Sequence, residues 1–328
     1  MSKFEPSYLK VQYDLRPAKQ VERRIFIESF NLLTEAGFSI RDYHYTGMGS
    51  IHFVDFAMFH KFLGLSNLSS VEISSEINER LKFNTPYSNC VEVFAGRSIG
   101  EHIPHLSTKE KHVLWLDYDN IISSDILRDI TQAITLLSND SILIITVDTE
   151  PPEPNANVQS NKASDEAENT QMYFEELVDG YASYFITKWK EEDFEYDNLP
   201  GLNLQLIQKA ISEGLKGRFK GLFIPLYHFL YADGHRMLTV GGMIGTKKTE
   251  RILLKSRLSK MNYTKMNFNT PPFLIRIPKL TRKERLYLDS NMPLKNGWRP
   301  KDFELSQTDL SDYDKIYRFI PSYAELLF

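Results

Sequence analysis

Two glycines and one carboxylate stand out as residues whose types and spacing suit chemistry. Gly47 and Gly49 lie in Tyr45-Thr46-Gly47-Met48-Gly49-Ser50, and Glu72 follows Gly47 by 25 residues. Glycine lets a backbone turn tightly and admits a ligand close to the main chain. A carboxylate on the tip of a following strand accepts the hydroxyl protons of a ribose, and a separation near 20 residues suits a strand, turn, helix, strand unit. Tyr45, Met48 and Ser50 would line the turn, with Ile73 beside the carboxylate. The same two glycines would also suit a strand-to-helix turn in an ordinary α/β protein. Glu72 and the rest of the chain separate the two readings.

The third glycine of the dinucleotide fingerprint is missing, since Ser50, Ile51 and His52 follow Gly49. That weakens a pyrophosphate site. S-adenosylmethionine (SAM), which has a ribose and no phosphates, asks less of the helix N-terminus and tolerates the shorter turn. On the adenine side, Phe94 in Phe94-Ala95-Gly96-Arg97 would stack on the ring while Gly96 lets the chain pass close. A simple strand-end turn accounts for the same letters.

A second constellation is Trp115-Leu116-Asp117-Tyr118-Asp119-Asn120. Ligands in open α/β sheets sit beyond the carboxyl ends of the strands, so Asp117, Tyr118 and Asp119 are the candidate catalytic groups, able to orient an acceptor and take its proton. Alternatively Asp119 or Asn120 caps the next helix. The tip lacks the Pro-Pro-aromatic run that orients an exocyclic nucleobase amine, and Cys90 lies on the wrong strand for cytosine C5 chemistry. Oxygen is the acceptor atom this favours. Arg16, Lys19 and Arg23 fall within roughly 60° of each other at 100° per residue. They form either a solvated face or a substrate-binding group for an anionic acceptor. None of the eight histidines makes an H-E-x-x-H pattern and no G-x-S-x-G occurs, so the expectation is no metal and no serine nucleophile.

Positioning these residues requires alternating strands and helices. A helix over 17–36 is followed by strands near 43–46, 68–73, 90–94, 112–117 and 141–148, with helices over 51–63, 75–83 and 124–138 between them and a short helix or turn near 98–103. The apolar run Ser141 to Val147 suits a parallel strand covered on both faces. The expected fold is a doubly wound, mostly parallel α/β sheet of the class I methyltransferase type, closed by an antiparallel hairpin at Gly241-Gly242. The expected division is an N-terminal helical segment (1–42), a Rossmann-like core (43–150), a loop and helical insertion (151–234), the closing hairpin (235–250) and a C-terminal extension (251–328). Within the insertion, 153–170 reads as a mobile loop, followed by helices near 171–190 and 203–217.

With 328 residues, 42% hydrophobic and 25% charged, the chain can bury a full core. A single cysteine excludes an internal disulfide, and a net charge of −4 gives no general attraction to nucleic acid, although a local basic patch stays open. No apolar run is long enough to span a bilayer and no signal segment is apparent, so the expected location is the cytoplasm.

The blocks LRPAKQVER (15–23), YTGMGSIHFVDFAMFHKFLGL (45–65), SVEIS (70–74), WLDYDN (115–120) and ITVDTEPP (145–152) resemble a bacterial O-methyltransferase family of the class I Rossmann type. The resemblance implies a SAM-binding fold with Gly47, Gly49 and Glu72 on the cofactor and Asp117 near the transfer site. It does not carry an acceptor. The competing expectation is a non-catalytic SAM- or nucleotide-binding module, an interaction or sensing subunit of a bacterial defence or modification system.

Overall fold

The computed structural model describes residues 16–152, 164–179 and 189–322. One sheet holds β1 (His44–Gly47), β2 (Asn67–Glu72), β3 (Val91–Ala95), β4 (His112–Ile121), β5 (Ile142–Asp148), β6 (Leu222–Asp233), β7 (His235–Gly245) and β8 (Phe273–Ile275). Their order is β3-β2-β1-β4-β5-β7-β6-β8. The first five are parallel, and β7 runs antiparallel to both β5 and β6. This is the doubly wound α/β sheet the sequence predicts. Strand order reverses between β1 and β4, which opens a crevice beyond their carboxyl ends.

Helices α1 (Pro17–Glu35) and α2 (Val54–Leu63) contribute to the core on one face. Phe26, at the heart of that core, meets Trp115 edge-on at 5.1 Å and Tyr227 at 4.9 Å between ring centroids. On the opposite face, helices at Ser124–Leu136 (α3) and Leu199–Leu215 (α4) bury Ile126, Ile130, Leu206 and Ile207 against the sheet. Every residue of β5 is buried, as a strand covered on both faces requires.

Three expectations change. Gly241 and Gly242 do not turn a hairpin but lie inside β7, and the hairpin is β6–β7, turning at Gly234 (φ 99°). A Cβ on Gly242 would collide with the Ile224 carbonyl and the Phe223 ring, so these glycines serve close packing, not a turn. The helix expected from Ile51 starts at Val54, because Ser50 (φ 50°) and Phe53 (φ 47°) hold a left-handed turn after the glycines. The loop expected over 153–170 is helical from Ser164, where a helix runs to Asp179, while 153–163 lie outside the described residues. The C-terminal extension also contributes β8, which pairs parallel to β6.

Candidate functional site

The N-terminus of α1 comes to rest at the carboxyl ends of β4 and β6. Arg16, at its N-cap, offers no side-chain cap. Asp233 at the end of β6 supplies one instead, its two carboxylate oxygens accepting from the Ala18 N–H at 3.1 Å and the Lys19 N–H at 2.9 Å. Burial raises the pKa of Asp233.

Anchored this way, the helix presents its cations to the sheet. The ammonium of Lys19 is 1% exposed, 2.6 Å from Asp117 and 3.0 Å from Glu22, donates to the Tyr231 hydroxyl at 3.1 Å, and sits 4.5 Å from the Trp115 ring centroid. Burial works against its charge, but Asp117 and Glu22 more than reverse that and hold Lys19 above its ordinary pKa. Glu22, fully buried, is pushed up by desolvation, since it shares its ammonium with Asp117. Arg23 is buried as well, and Arg16 lies 3.8 Å from Asp119. The three cations therefore do not form a solvated face. All three are buried near the switch point, and Lys19 is already neutralised.

The tip of β4 divides by alternation. Side chains of successive strand residues point to opposite faces. Asp117 shares the face of Trp115 and α1, half-buried at the crevice. Tyr118 points to the other face, where its hydroxyl donates to Asp129 of α3 at 2.8 Å. Desolvation and Asp129 raise its pKa well above the ordinary value. The Tyr118 phenol is thus engaged with α3, on the face of the sheet away from Asp117. Tyr118→Phe should leave Asp129 without that donor and cost about 1–2 kcal/mol, read from chemical denaturation. Unchanged stability would contradict this placement. Asp119 is exposed beside Arg16 and close enough to Glu72 to raise its pKa. The helix after β4 is capped by Ser123, not by Asp119 or Asn120.

At β1 the glycines are needed sterically. A Cβ on Gly47 would strike the Tyr45 phenol, and one on Gly49 would strike Ser70 Oγ and the Phe56 ring. Tyr45 donates a hydrogen bond to Asp55 of α2, and burial lifts the pKa of both. Met48 packs toward the opposite core. Around this turn Thr46, Ser50 and Ser70 hold buried hydroxyl oxygens without partners.

Glu72 ends β2 half-buried, accepts from the Ser74 N–H at 3.0 Å, and is raised in pKa first by desolvation. Next to it, Ile73 is 73% exposed. Gly96 (φ 75°) lets its N–H bond the Glu72 carbonyl at 2.8 Å, a conformation glycine adopts without strain. Phe94 meets the His102 ring at 4.6 Å between centroids, with the planes tilted by 51°. Glu72, Ile73, Phe94 and Gly96 thus line neighbouring tips, as the sequence suggested. Asp55, Glu22, Tyr231 and Asp233 were missed. Only Asp55 had a local signal, an acid on the apolar helix after the turn, while Tyr231 and Asp233 reach the site through sheet topology alone.

An O-methyltransferase of Streptomyces achromogenes involved in tomaymycin synthesis, solved with SAM, is 14% identical and covers 72% of this chain and 93% of its own, with a TM-score of 0.36. Human N-acetylserotonin methyltransferase with SAM is 9% identical, covers 69% and 57%, and has a TM-score of 0.33. The fibrillarin pre-rRNA processing protein of Methanococcus jannaschii is 9% identical, covers 63% and 68%, and has a TM-score of 0.35. No curated protein matches the chain. A family profile matches residues 11–328, and the chain belongs to that family, described as Putative O-methyltransferase.

Proposed function

We propose that the chain transfers a methyl group from SAM to an oxygen of its acceptor, in the crevice between the tips of β1, β2 and β4. The observation that carries this reading is the alignment of a sterically enforced glycine turn with Glu72 on the adjacent strand tip, inside a family of methyltransferases. The residues fit the cofactor. Glu72 would accept from the ribose hydroxyls, Ile73 and Phe94 would cover the adenine, and the backbone of the Gly47–Gly49 turn would face the amino-acid end. Bound there, SAM supplies an electrophilic methyl on a sulfonium. The protein's part is to align the acceptor and remove its proton, and Asp117, held by Lys19 at the crevice, is the group we assign to that proton.

The acceptor stays unassigned by class beyond an oxygen nucleophile. We place the activity in the cytoplasm, consistent with the lack, among the described residues, of any helix long and apolar enough to cross a membrane. Calorimetric titration tests the cofactor. The chain should bind SAM, and Glu72→Ala should weaken binding roughly tenfold, the equivalent of about 1–2 kcal/mol for ribose hydroxyls left unpaired. Equal affinity in the variant would remove Glu72 from the site.

A further inference from the structure

Arg23 is a buried cation that the arrangement described so far leaves unused. Its side chain is 3% exposed, and its Nε and Nη1 have no hydrogen-bond partner. A guanidinium carries five N–H donors in a planar fork, and taking it out of water without partners is costly. Its surroundings do not account for that cost. Lys19, one turn earlier, is neutralised by Asp117 and Glu22. Arg23 is close enough to Asp55 to lower the pKa of that carboxyl, but Asp55 already accepts from the Tyr45 phenol.

The position of this phenol locates Arg23. The Tyr45 phenol fills the space a side chain on Gly47 would need and bonds Asp55, and Arg23, buried one helical turn beyond Lys19, is close enough to act on both. Beside them, Ser50 in the turn and Ser70 on the neighbouring strand hold buried hydroxyls that also lack partners. Unpartnered donors are therefore present on the α1 side of the sheet at this turn, on Arg23, Ser50 and Ser70. Their common complement is an anion with planar, two-oxygen geometry.

We propose that Arg23 is the receptor for the α-carboxylate at the amino-acid end of the cofactor, with the hydroxyls of the turn completing its hydrogen bonds. This assigns Arg23 to cofactor binding and withdraws it from the acceptor, and it rests on the SAM reading given above. An amino-acid end brings one charge of each sign, so the pairing of Arg23 with Asp55 stays balanced when it binds. Arg16, paired with Asp119 at the crevice, stays assigned to the acceptor.

The test compares two ligands that share the adenosine and differ at this end. S-adenosylhomocysteine carries the carboxylate, and 5′-methylthioadenosine lacks it. By calorimetry the unaltered chain should bind the first at least tenfold more tightly. Arg23→Met should lose at least tenfold for S-adenosylhomocysteine and keep its affinity for 5′-methylthioadenosine, which also shows that the adenosine site is folded. Arg23→Lys, with a charge but no fork, should fall between. Unchanged affinity for S-adenosylhomocysteine in Arg23→Met, or an equal loss for both ligands, would overturn the assignment. If the unaltered chain bound neither ligand, the SAM reading itself would fail, a different result from a failure of Arg23 alone.

Discussion

Lys19→Met should lower the stability of the protein by about 3–5 kcal/mol, measured by chemical denaturation at pH 7, because it removes one partner of a buried charge network and strands the others. Glu22 has no exposure and cannot recover its hydration when the ammonium is gone, and Asp117, 22% exposed, recovers only part of it. The size of the loss depends on charge and not on shape, since methionine fills nearly the same volume. The double variant Lys19→Met, Glu22→Gln should therefore recover more than half of the loss, because it returns the network to its original net charge. A single-variant loss under about 1 kcal/mol, or no recovery in the pair, would mean that water reaches the network and that Asp117 is not held in place by Lys19.

A second large effect is expected in acid. His102 is buried against Phe94, and desolvation, with Arg97 and His105 nearby, lowers its pKa to about 4. In the unfolded chain the same ring titrates near 6.5. A group whose folded pKa is depressed below its unfolded value contributes fully above the unfolded value. That contribution is lost as pH falls toward the folded one. Between pH 6.5 and pH 5 the loss from His102 alone is about 2 kcal/mol, at about 1.4 kcal/mol per pH unit. His44 and His112, stacked at 5.4 Å and both depressed by burial, act in the same direction. Asp55, Glu72 and Asp129, raised by burial, act in the opposite one. The contribution of His102 is therefore read as a difference. Stability measured at pH 7 and pH 5 should fall less in His102→Gln than in the unaltered chain, by about 2 kcal/mol. Parallel changes in the two proteins would show that the ring is protonated in the folded state.

What the sequence made legible follows from how local each signal is. The parallel strands, the glycine turn and Glu72 depend on neighbours within about 30 residues, and period and spacing located them. The placement of Asp117 at the crevice followed from a general property of strand tips, but that property does not distinguish the two faces, and alternation along β4 turns Tyr118 toward Asp129. The hairpin was misplaced because two adjacent glycines signal a turn, whereas here they admit the Tyr227 and Phe223 rings against the strand, a fact of packing. The charge network was invisible for a different reason. Lys19 meets Tyr231 and Asp233 only after β6 has joined the sheet, and nothing along the chain announces a contact across more than 200 residues.

The cap that Asp233 places on α1 also sets a timetable for synthesis. The two N–H groups it satisfies are made early in translation, and the carboxylate that receives them follows 214 residues after Lys19. At ordinary elongation speeds this is a delay of roughly 10–40 seconds. Throughout that interval the nascent α1 has neither its cap nor the Tyr231 hydroxyl for Lys19. The five parallel strands can assemble meanwhile, but the crevice stays without the fixed helix that closes one wall of it. Arrival of the β6–β7 hairpin therefore acts as a checkpoint: a nascent chain stopped before it holds Glu72 and the glycine turn yet lacks an anchored Lys19 and Arg23.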